Sequence, residues 1–254
     1  NAPGGLVYLR IFPFDGGQGG SSGCVANNFS TASLTINSSI QPPAIRTTVT
    51  NGNFSSASTW DCVCIPAIND NLVIDHDIVL DNSFIQDDGL DFYVSNTITL
   101  TIQNSHNLSV AGNLHNYGII TGDLILNGTS SQIVKIGTVE NLTVNNPSGI
   151  IASSDIELTS SLTLTDGELD LNNFDLTLTS TETSSSLIVD GNGSIIGDIT
   201  IEQYVPEAGY GHHYLSTPMK NCLMSELNDD FGLNLNGSFP YIYSYDEPSS
   251  SWIT

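Results

Sequence analysis

The hydrophobic positions of this chain alternate with polar ones in short bursts. In residues 161–179, Leu occupies every second position of each burst, with Thr, Glu and Asp mostly between. A period of two places such side chains on one face of a β-strand, whereas a helix would scatter them around its axis. The breaks Asp166-Gly167 and Asn172-Asn173 have turn chemistry. The pattern predicts short, half-buried strands whose inward residues are Leu162, Leu164, Leu169, Leu171, Leu176 and Leu178.

These bursts recur through the middle of the chain, and their spacing predicts how they are arranged. Three bursts fall within the 20 residues from Asp155 to Asp175. A repeat of about 20 residues with three short strands is typical of one coil of a parallel β-helix, in which each coil stacks on the last. A β-sandwich of hairpins is the competing architecture, and it would need longer strands joined by two-residue turns. The predicted strand cores are Asn71–Ile74, Ile98–Ile102, Asn107–Val110, Asp123–Leu126, Asn141–Val144, Asp155–Leu158, Ser161–Leu164, Glu168–Leu171, Asp175–Leu178 and Ser186–Val189.

The texture of the sequence changes twice, which predicts three regions. Residues 1–45 are rich in Gly, Ser and Asn and end near Pro42-Pro43, a pair that cannot join a central ladder. Residues 46–204 carry the alternating pattern, and residues 205–254 are rich in aromatic side chains. We therefore predict an all-β protein: a right-handed parallel β-helix with an N-terminal β cap and the start of a C-terminal β-sandwich-like module.

The charge of the chain excludes two classes of partner. Its 254 residues include 27 acidic and four basic side chains, which give a formal charge of −23. Nucleic acids and anionic lipid surfaces are bound by Lys and Arg that replace counterions, so neither is an expected partner. Since no apolar run approaches the roughly 20 residues of a membrane span, direct membrane insertion is not expected either.

Several stretches of the chain resemble a known family. Residues 107–179 contain NLSVAGNLHNYGIITGDLILNGTSSQIV and VENLTVNNPSGIIASSDIELTSSLTLTDGELDLNNFDLTLT. NGNFSSASTWDCVCIPAINDNLVIDHDIVLD precedes them at Asn51, and EQYVPEAGYGHHYLSTPM follows at Glu202. These stretches resemble the solenoid repeats, and the flanking modules, of very large secreted surface proteins of Bacteroidetes-type bacteria. The matching motif residues in the solenoid are Asn127, Gly128, Thr129, Gln132, Asn141 to Asn146, and Gly167 to Leu178.

This resemblance implies habitat more than molecular function. It implies export, commonly by the type IX route, and display on the cell surface or in surface appendages. It also implies that Asn1 is a mature N-terminus and that the C-terminal module continues past Thr254 in a longer chain.

The cysteines predict a staple in the N-terminal part of the chain. An even number suits an oxidising compartment, and Cys24, Cys62, Cys64 and Cys222 are disulfide candidates. We expect Cys24 to bond to Cys62 or Cys64, and Cys222 to pair with the other or remain free. A metal site at Cys62 and Cys64 is disfavoured because no Cys-x-x-Cys or nearby His completes it.

The acidic residues offer one candidate for catalysis, and we assign it no catalytic role. If Asp75 and Asp77 lie on a strand, their side chains share one face about 7 Å apart, a separation that suits an inverting glycosidase. A lyase would also need a cation beside them, and Lys135 is the only Lys or Arg that lies well inside the solenoid. We interpret these acids and His76 as part of a solvated outer face, and the pair His212-His213 as structural.

Calcium is the cofactor that the composition favours, although no complete calcium-loop motif is present. Acid-rich turns offer hard oxygen ligands, and the candidate residues are Asp87, Asp88, Asp229 and Asp230.

These observations predict a non-enzymatic extracellular protein: a rigid stalk or building block of a cell-surface adhesin or filament. The alternative is a carbohydrate-active β-helix enzyme or glycan-binding module, which would need a groove lined by acids from stacked coils. Expected partners are further copies of the chain and a surface glycan or other-cell receptor. Self-contacts are expected in residues 1–50, where Asp15 is the only acid and Arg10 and Arg46 are basic, since this stretch can approach an acidic solenoid at low electrostatic cost.

Overall fold

The computed structural model describes residues 43–204, 244–246 and 248–253. The chain falls into two units, residues 1–40 and 41–254, and every described residue belongs to the second. The predicted N-terminal cap and most of the predicted C-terminal module therefore lie outside the described residues.

Residues 43–204 contain nineteen short β-strands and a single 3-10 helical turn at Ala57–Thr59. No helix in the described part of the chain has the length and apolarity that a membrane crossing requires. Further on, β20 (Ser244–Asp246) and β21 (Ser251–Ile253) form an antiparallel pair. The strands of residues 43–204 are β1 Ile45–Thr47, β2 Gly52–Asn53, β3 Asn71–Ile74, β4 Ile78–Leu80, β5 Phe84–Gln86, β6 Asp91–Val94, β7 Thr99–Ile102, β8 Asn107–Val110, β9 Asn113–Asn116, β10 Ile119–Leu126, β11 Gln132–Lys135, β12 Gly137–Asn145, β13 Ile150–Ala152, β14 Ile156–Asp166, β15 Glu168–Asp170, β16 Leu176–Leu178, β17 Leu187–Val189, β18 Ser194–Ile196 and β19 Ile199–Ile201.

The strands β1–β19 pair in parallel and wind into a solenoid of about six turns. One face, which we call face A, has the order β1-β3-β6-β9-β11-β13-β15-β18. A second, face B, has the order β2-β4-β7-β10-β12-β14-β16-β19. A third, face C, is formed by β5, β8, the second halves of β10, β12 and β14, and β17. The predicted all-β parallel solenoid is therefore confirmed.

The long strands β10, β12 and β14 each turn a corner between faces B and C. The first half of β10 pairs with β7 and its second half with β8. Gly122 stands at the bend with φ +89°, and a Cβ there would lie 2.5 Å from the carbonyl oxygen of Ile102. Both the backbone conformation and the close approach require glycine. The bursts at 155–158 and 161–164, predicted as separate strands, are consequently two halves of the continuous strand β14.

The core consists of apolar ladders that run from coil to coil. Leu142 pairs in register with Leu162, and Val144 with Leu164. Ile156 and Leu158 likewise pair with Leu176 and Leu178. All these side chains are buried, as are Leu169 and Leu171, which confirms the predicted inward set. Since full burial of a Leu stabilises a protein by about 1.5–3 kcal/mol, each coil adds several such increments.

The corner between faces C and A contains a buried hydrogen-bond network built from the motif residues. Gln132 Oε1 accepts from the Gly128 N–H (3.1 Å) and from Asn146 Nδ2 (2.9 Å). Gln132 Nε2 donates to the carbonyl oxygens of Val110 (3.0 Å) and Gly112 (2.5 Å). A Cβ on Gly128 would lie 2.9 Å from the Gln132 side chain and 3.0 Å from that of Asn146. The Asn-Gly-Thr-x-x-Gln motif and the later Asn-Asn pair therefore close one corner of the tube.

Candidate functional site

The structure joins Cys62 to Cys64 by a disulfide, so the expected bond from Cys24 to one of them is wrong. The two residues do not lie on a strand: they flank Val63, which has φ +52° in a turn after Trp60. This turn brings the sulfur atoms of neighbouring residues together, which an extended segment cannot do. Cys24 and Cys222 lie outside the described residues.

Asp77 lies at the corner between β3 and β4 and links three successive coils. Its N–H donates to Asn51 Oδ1 of the preceding coil (3.2 Å). Its own Oδ1 accepts from the Thr99 N–H of the following coil (2.9 Å). This carboxylate therefore satisfies a backbone donor at the start of β7, which is a structural task.

Asp75 and His76 occupy the same corner and contact the same neighbouring coils. The Asp75 N–H donates to Thr48 Oγ1 (2.9 Å), and the Asp75 carboxylate accepts from the Ser95 hydroxyl. His76 Nδ1 lies 3.3 Å from Thr48 Oγ1. Because the segment is a corner and not a strand, the expected shared face of Asp75 and Asp77 does not exist.

The acid-rich turn after β5 is occupied by hydrogen bonds within the protein. One oxygen of Asp88 accepts from the N–H (3.2 Å) and the hydroxyl (2.5 Å) of Thr129, and the other accepts from the Gly89 N–H (2.8 Å). The Thr129 hydroxyl, with the backbone donors of Thr129 and Gly89, holds the pKa of Asp88 below its usual value despite partial desolvation. Among the described residues, no three His, Cys, Asp or Glu side chains gather in a metal-binding arrangement. Calcium at Asp87 and Asp88 stays a prediction, and Asp229 and Asp230 lie outside the described residues, as do His212 and His213.

A groove on face B gathers acids from successive coils. It has a volume of about 430 Å³, and its acids are Asp155, Glu157 and Glu202 among several Thr residues. Two of the acids already have partners: Asp155 accepts from the Asp175 N–H (3.0 Å), and Glu157 accepts from the Thr138 hydroxyl (2.9 Å). Its lining residues are Gly137, Thr138, Asp155, Ile156, Glu157, Thr177, Thr179 and Glu202.

A second groove, on face A, combines aromatic, apolar and polar side chains; we call it the Tyr93 groove. It has a volume of about 370 Å³ and lies over the outward side chains of β1, β3, β6 and β9. His115 borders it, with its ring centroid 6.3 Å from that of Tyr93 and its Nε2 3.5 Å from Asp91 Oδ1. The lining residues are Ile45, Asn71, Leu72, Val73, Asp91, Tyr93 and His115.

The residues of the next coils support the Tyr93 ring. Tyr117, which follows β9, lies with its ring centroid 5.2 Å from that of Tyr93. Lys135 on β11 places its Nζ 4.8 Å from the centroid of the Tyr117 ring, a cation–π contact. Lys135 forms no ion pair with any described residue, whereas Arg46 is paired with Asp70 at 3.1 Å.

Sequence reasoning missed the Tyr93 groove, although a signal for it exists. Asn71, Asp91, Asn113 and Ile133 are linked in sequence by side-chain hydrogen bonds spanning 20, 22 and 20 residues. Aligning the coils at this spacing would have placed Tyr93 beside His115, two positions further along each strand.

Comparison with protein-family models, curated proteins and solved structures finds no match for this chain.

Proposed function

We propose that this chain is a non-enzymatic extracellular protein, a stiff stalk segment or building block of a cell-surface adhesin or filament. The observation that supports this proposal is the continuity of the solenoid. About six turns at a strand spacing of about 4.8 Å make a length of roughly 29 Å.

The contacts between coils support the stiffness that a stalk needs. Apolar ladders join the coils inside the tube, and the corners add bonds from side chains to the backbone of the next coil, as at Asp77 and Asp155. In such a solenoid each coil is stabilised by its neighbours, so the structure resists bending and can be lengthened by further repeats.

The resemblance to secreted Bacteroidetes-type surface proteins supports the cell exterior as the location, with export by the type IX route. Immunogold electron microscopy of producing cells, with antibodies against residues 43–204, tests this. We expect label on the outer surface or on appendages. Label confined to the cytoplasm would refute the extracellular role.

Self-association is the second part of the proposal, with contacts in the N-terminal region. The pairing of Arg46 with Asp70 leaves Arg10 and Asp15 as the charged residues of the first 42, a nearly neutral stretch beside an acidic solenoid. Light scattering should compare the intact chain with a chain lacking residues 1–40, in moderate salt with and without calcium. The deletion should stop at 40 because β1 begins at Ile45. Equal, monomeric behaviour of both would favour a monomeric stalk.

The groove on face B favours a second candidate function, a carbohydrate-active enzyme, because acids from stacked coils line it. Incubation with neutral and acidic polysaccharides tests this, with Glu157→Gln as the diagnostic variant and Asp75→Asn as the control. Turnover that Glu157→Gln abolishes and Asp75→Asn preserves would establish the enzyme. We expect no turnover.

A further inference from the structure

We propose that the Tyr93 groove binds a neutral saccharide. The inference rests on the proposed adhesive function, to which it gives a ligand class, but it concerns a defined site that can be tested by itself.

The groove has the size and composition of a small-ligand site. Its volume of about 370 Å³ lies within the roughly 300–1,000 Å³ of typical ligand pockets. One part is apolar, formed by Ile45, Val73 and the Tyr93 ring, and the other carries the polar groups of Asn71 and Asp91. A pyranose ring has the same division, with C–H groups on its faces and hydroxyl groups around its edge.

Each polar group can be matched to a saccharide hydroxyl. The Asp91 carboxylate is exposed and accepts hydrogen bonds, and His115 can donate or accept at a ring nitrogen. The aromatic ring of Tyr93 offers a large, stiff apolar surface at low entropic cost. Tyr117 packs against Tyr93 from the next coil, so the ring is supported before a ligand arrives.

Charge decides between a neutral and an anionic saccharide. The chain carries a formal charge of −23, and Asp91 lies in the groove itself. Lys135 is the nearest cation in the supporting column, but its ammonium group lies over the Tyr117 ring. A carboxylated or sulfated glycan would meet repulsion from the chain with little local compensation, so the groove favours a neutral one.

The dimensions of the groove disfavour a protein partner. A stable protein interface buries about 800 Å² on each partner, around an apolar core depleted of charged residues. The Tyr93 groove is lined by seven residues, and Asn71, Asp91 and His115 are interspersed among the apolar ones.

Saturation-transfer NMR and titration calorimetry on the intact chain test the proposal. The neutral probes are cello-, chito-, manno- and galacto-oligosaccharides, and the anionic probes are oligogalacturonate and heparin fragments. Tyr93→Ala removes the stacking surface, and Tyr93→Phe retains it. Tyr204→Ala is the matched control, because Tyr204 is an exposed tyrosine outside the groove.

We expect at least one neutral probe to bind, with affinity reduced about tenfold or more by Tyr93→Ala, a change of about 1.4 kcal/mol. Tyr93→Phe and Tyr204→Ala should bind nearly as the parent does. The proposal is overturned if no neutral probe binds, if an anionic probe binds more tightly, or if Tyr93→Ala binds normally. It is also overturned if Tyr93→Ala abolishes self-association while no saccharide binds, since the groove would then be a protein contact. None of these results would bear on surface location, so the stalk proposal can fail or survive independently.

Discussion

Replacing Gln132 with Met should destabilise the solenoid substantially, because the new side chain keeps the length of the old one but none of its hydrogen bonds. Gln132 is buried and makes four such bonds, to Gly128, Asn146, Val110 and Gly112. The buried Gly128 N–H loses its partner, which costs about 1–3 kcal/mol, and the two donated bonds contribute about 1 kcal/mol each. The free energy of unfolding should therefore fall by about 3–4 kcal/mol.

Gln86 offers a matched comparison, since it is also fully buried but is incompletely satisfied. Its Nε2 donates to the carbonyl oxygens of Asp70 (3.0 Å) and Asp91 (3.1 Å), whereas its Oε1 has no partner. Gln86→Met loses two bonds of about 1 kcal/mol each but also removes a buried, unsatisfied acceptor whose desolvation costs about 1–3 kcal/mol. These contributions nearly cancel, and the loss of stability should be about 1 kcal/mol or less.

Urea unfolding followed by far-UV circular dichroism measures both variants against the parent. The midpoints should fall in the order parent, Gln86→Met, Gln132→Met, and equal slopes would show that the unfolding reaction itself is unchanged. An equal or larger loss in Gln86→Met would refute the reasoning, because the cost would then follow burial and not the number of satisfied bonds.

Three further changes probe the core, a corner and an exposed carboxylate. Leu169→Asp places an unpaired charge inside the tube and should prevent folding, whereas Leu169→Ala should fold with about 2–5 kcal/mol less stability; a soluble Asp variant with unchanged melting would disprove the register. Gly112→Ala should be severely destabilising in thermal melts, because its Cβ would lie 1.8 Å from a backbone oxygen of the preceding coil, while Gly89→Ala meets no atom within 4 Å and should cost only about 1 kcal/mol for its positive φ. Since the pKa of Asp88 is lower in the folded state, its contribution is present above the unfolded pKa of about 3.9 and is lost as pH falls through the folded pKa. Asp88→Asn should therefore be slightly less stable than the parent at neutral pH, by less than about 1 kcal/mol, and equal to it in strong acid; a constant difference across a pH series of melts would argue against this cause.

The period-two pattern was sufficient to predict the strands and their inward side chains. Leu162, Leu164, Leu176 and Leu178 are buried as the alternation requires, because a β-strand turns each successive side chain to the opposite face whatever lies next to it. The repeat of about 20 residues indicated the stacking, and Ile156 does pair with Leu176.

The stacking register of individual coils could not be obtained in this way. Gln132 pairs with a residue 18 positions on, at Ile150, whereas Leu169 pairs with one 26 positions on, at Ile195. Corners absorb these differences, and the conformation of a corner depends on contacts with the coils above and below it. Gly122 illustrates the point, since the bend there is needed only because the Ile102 backbone approaches so closely.

The candidate sites depended on the same non-local information. The positive φ at Val63 brings Cys62 to Cys64, a result that composition alone cannot distinguish from a longer-range bond to Cys24. Local sequence determined that Tyr93 and His115 point outward from their strands, because the alternation of a strand is a local property. Only the tertiary structure decided that the two rings border one groove, because their proximity requires coils of particular length to stack in one register.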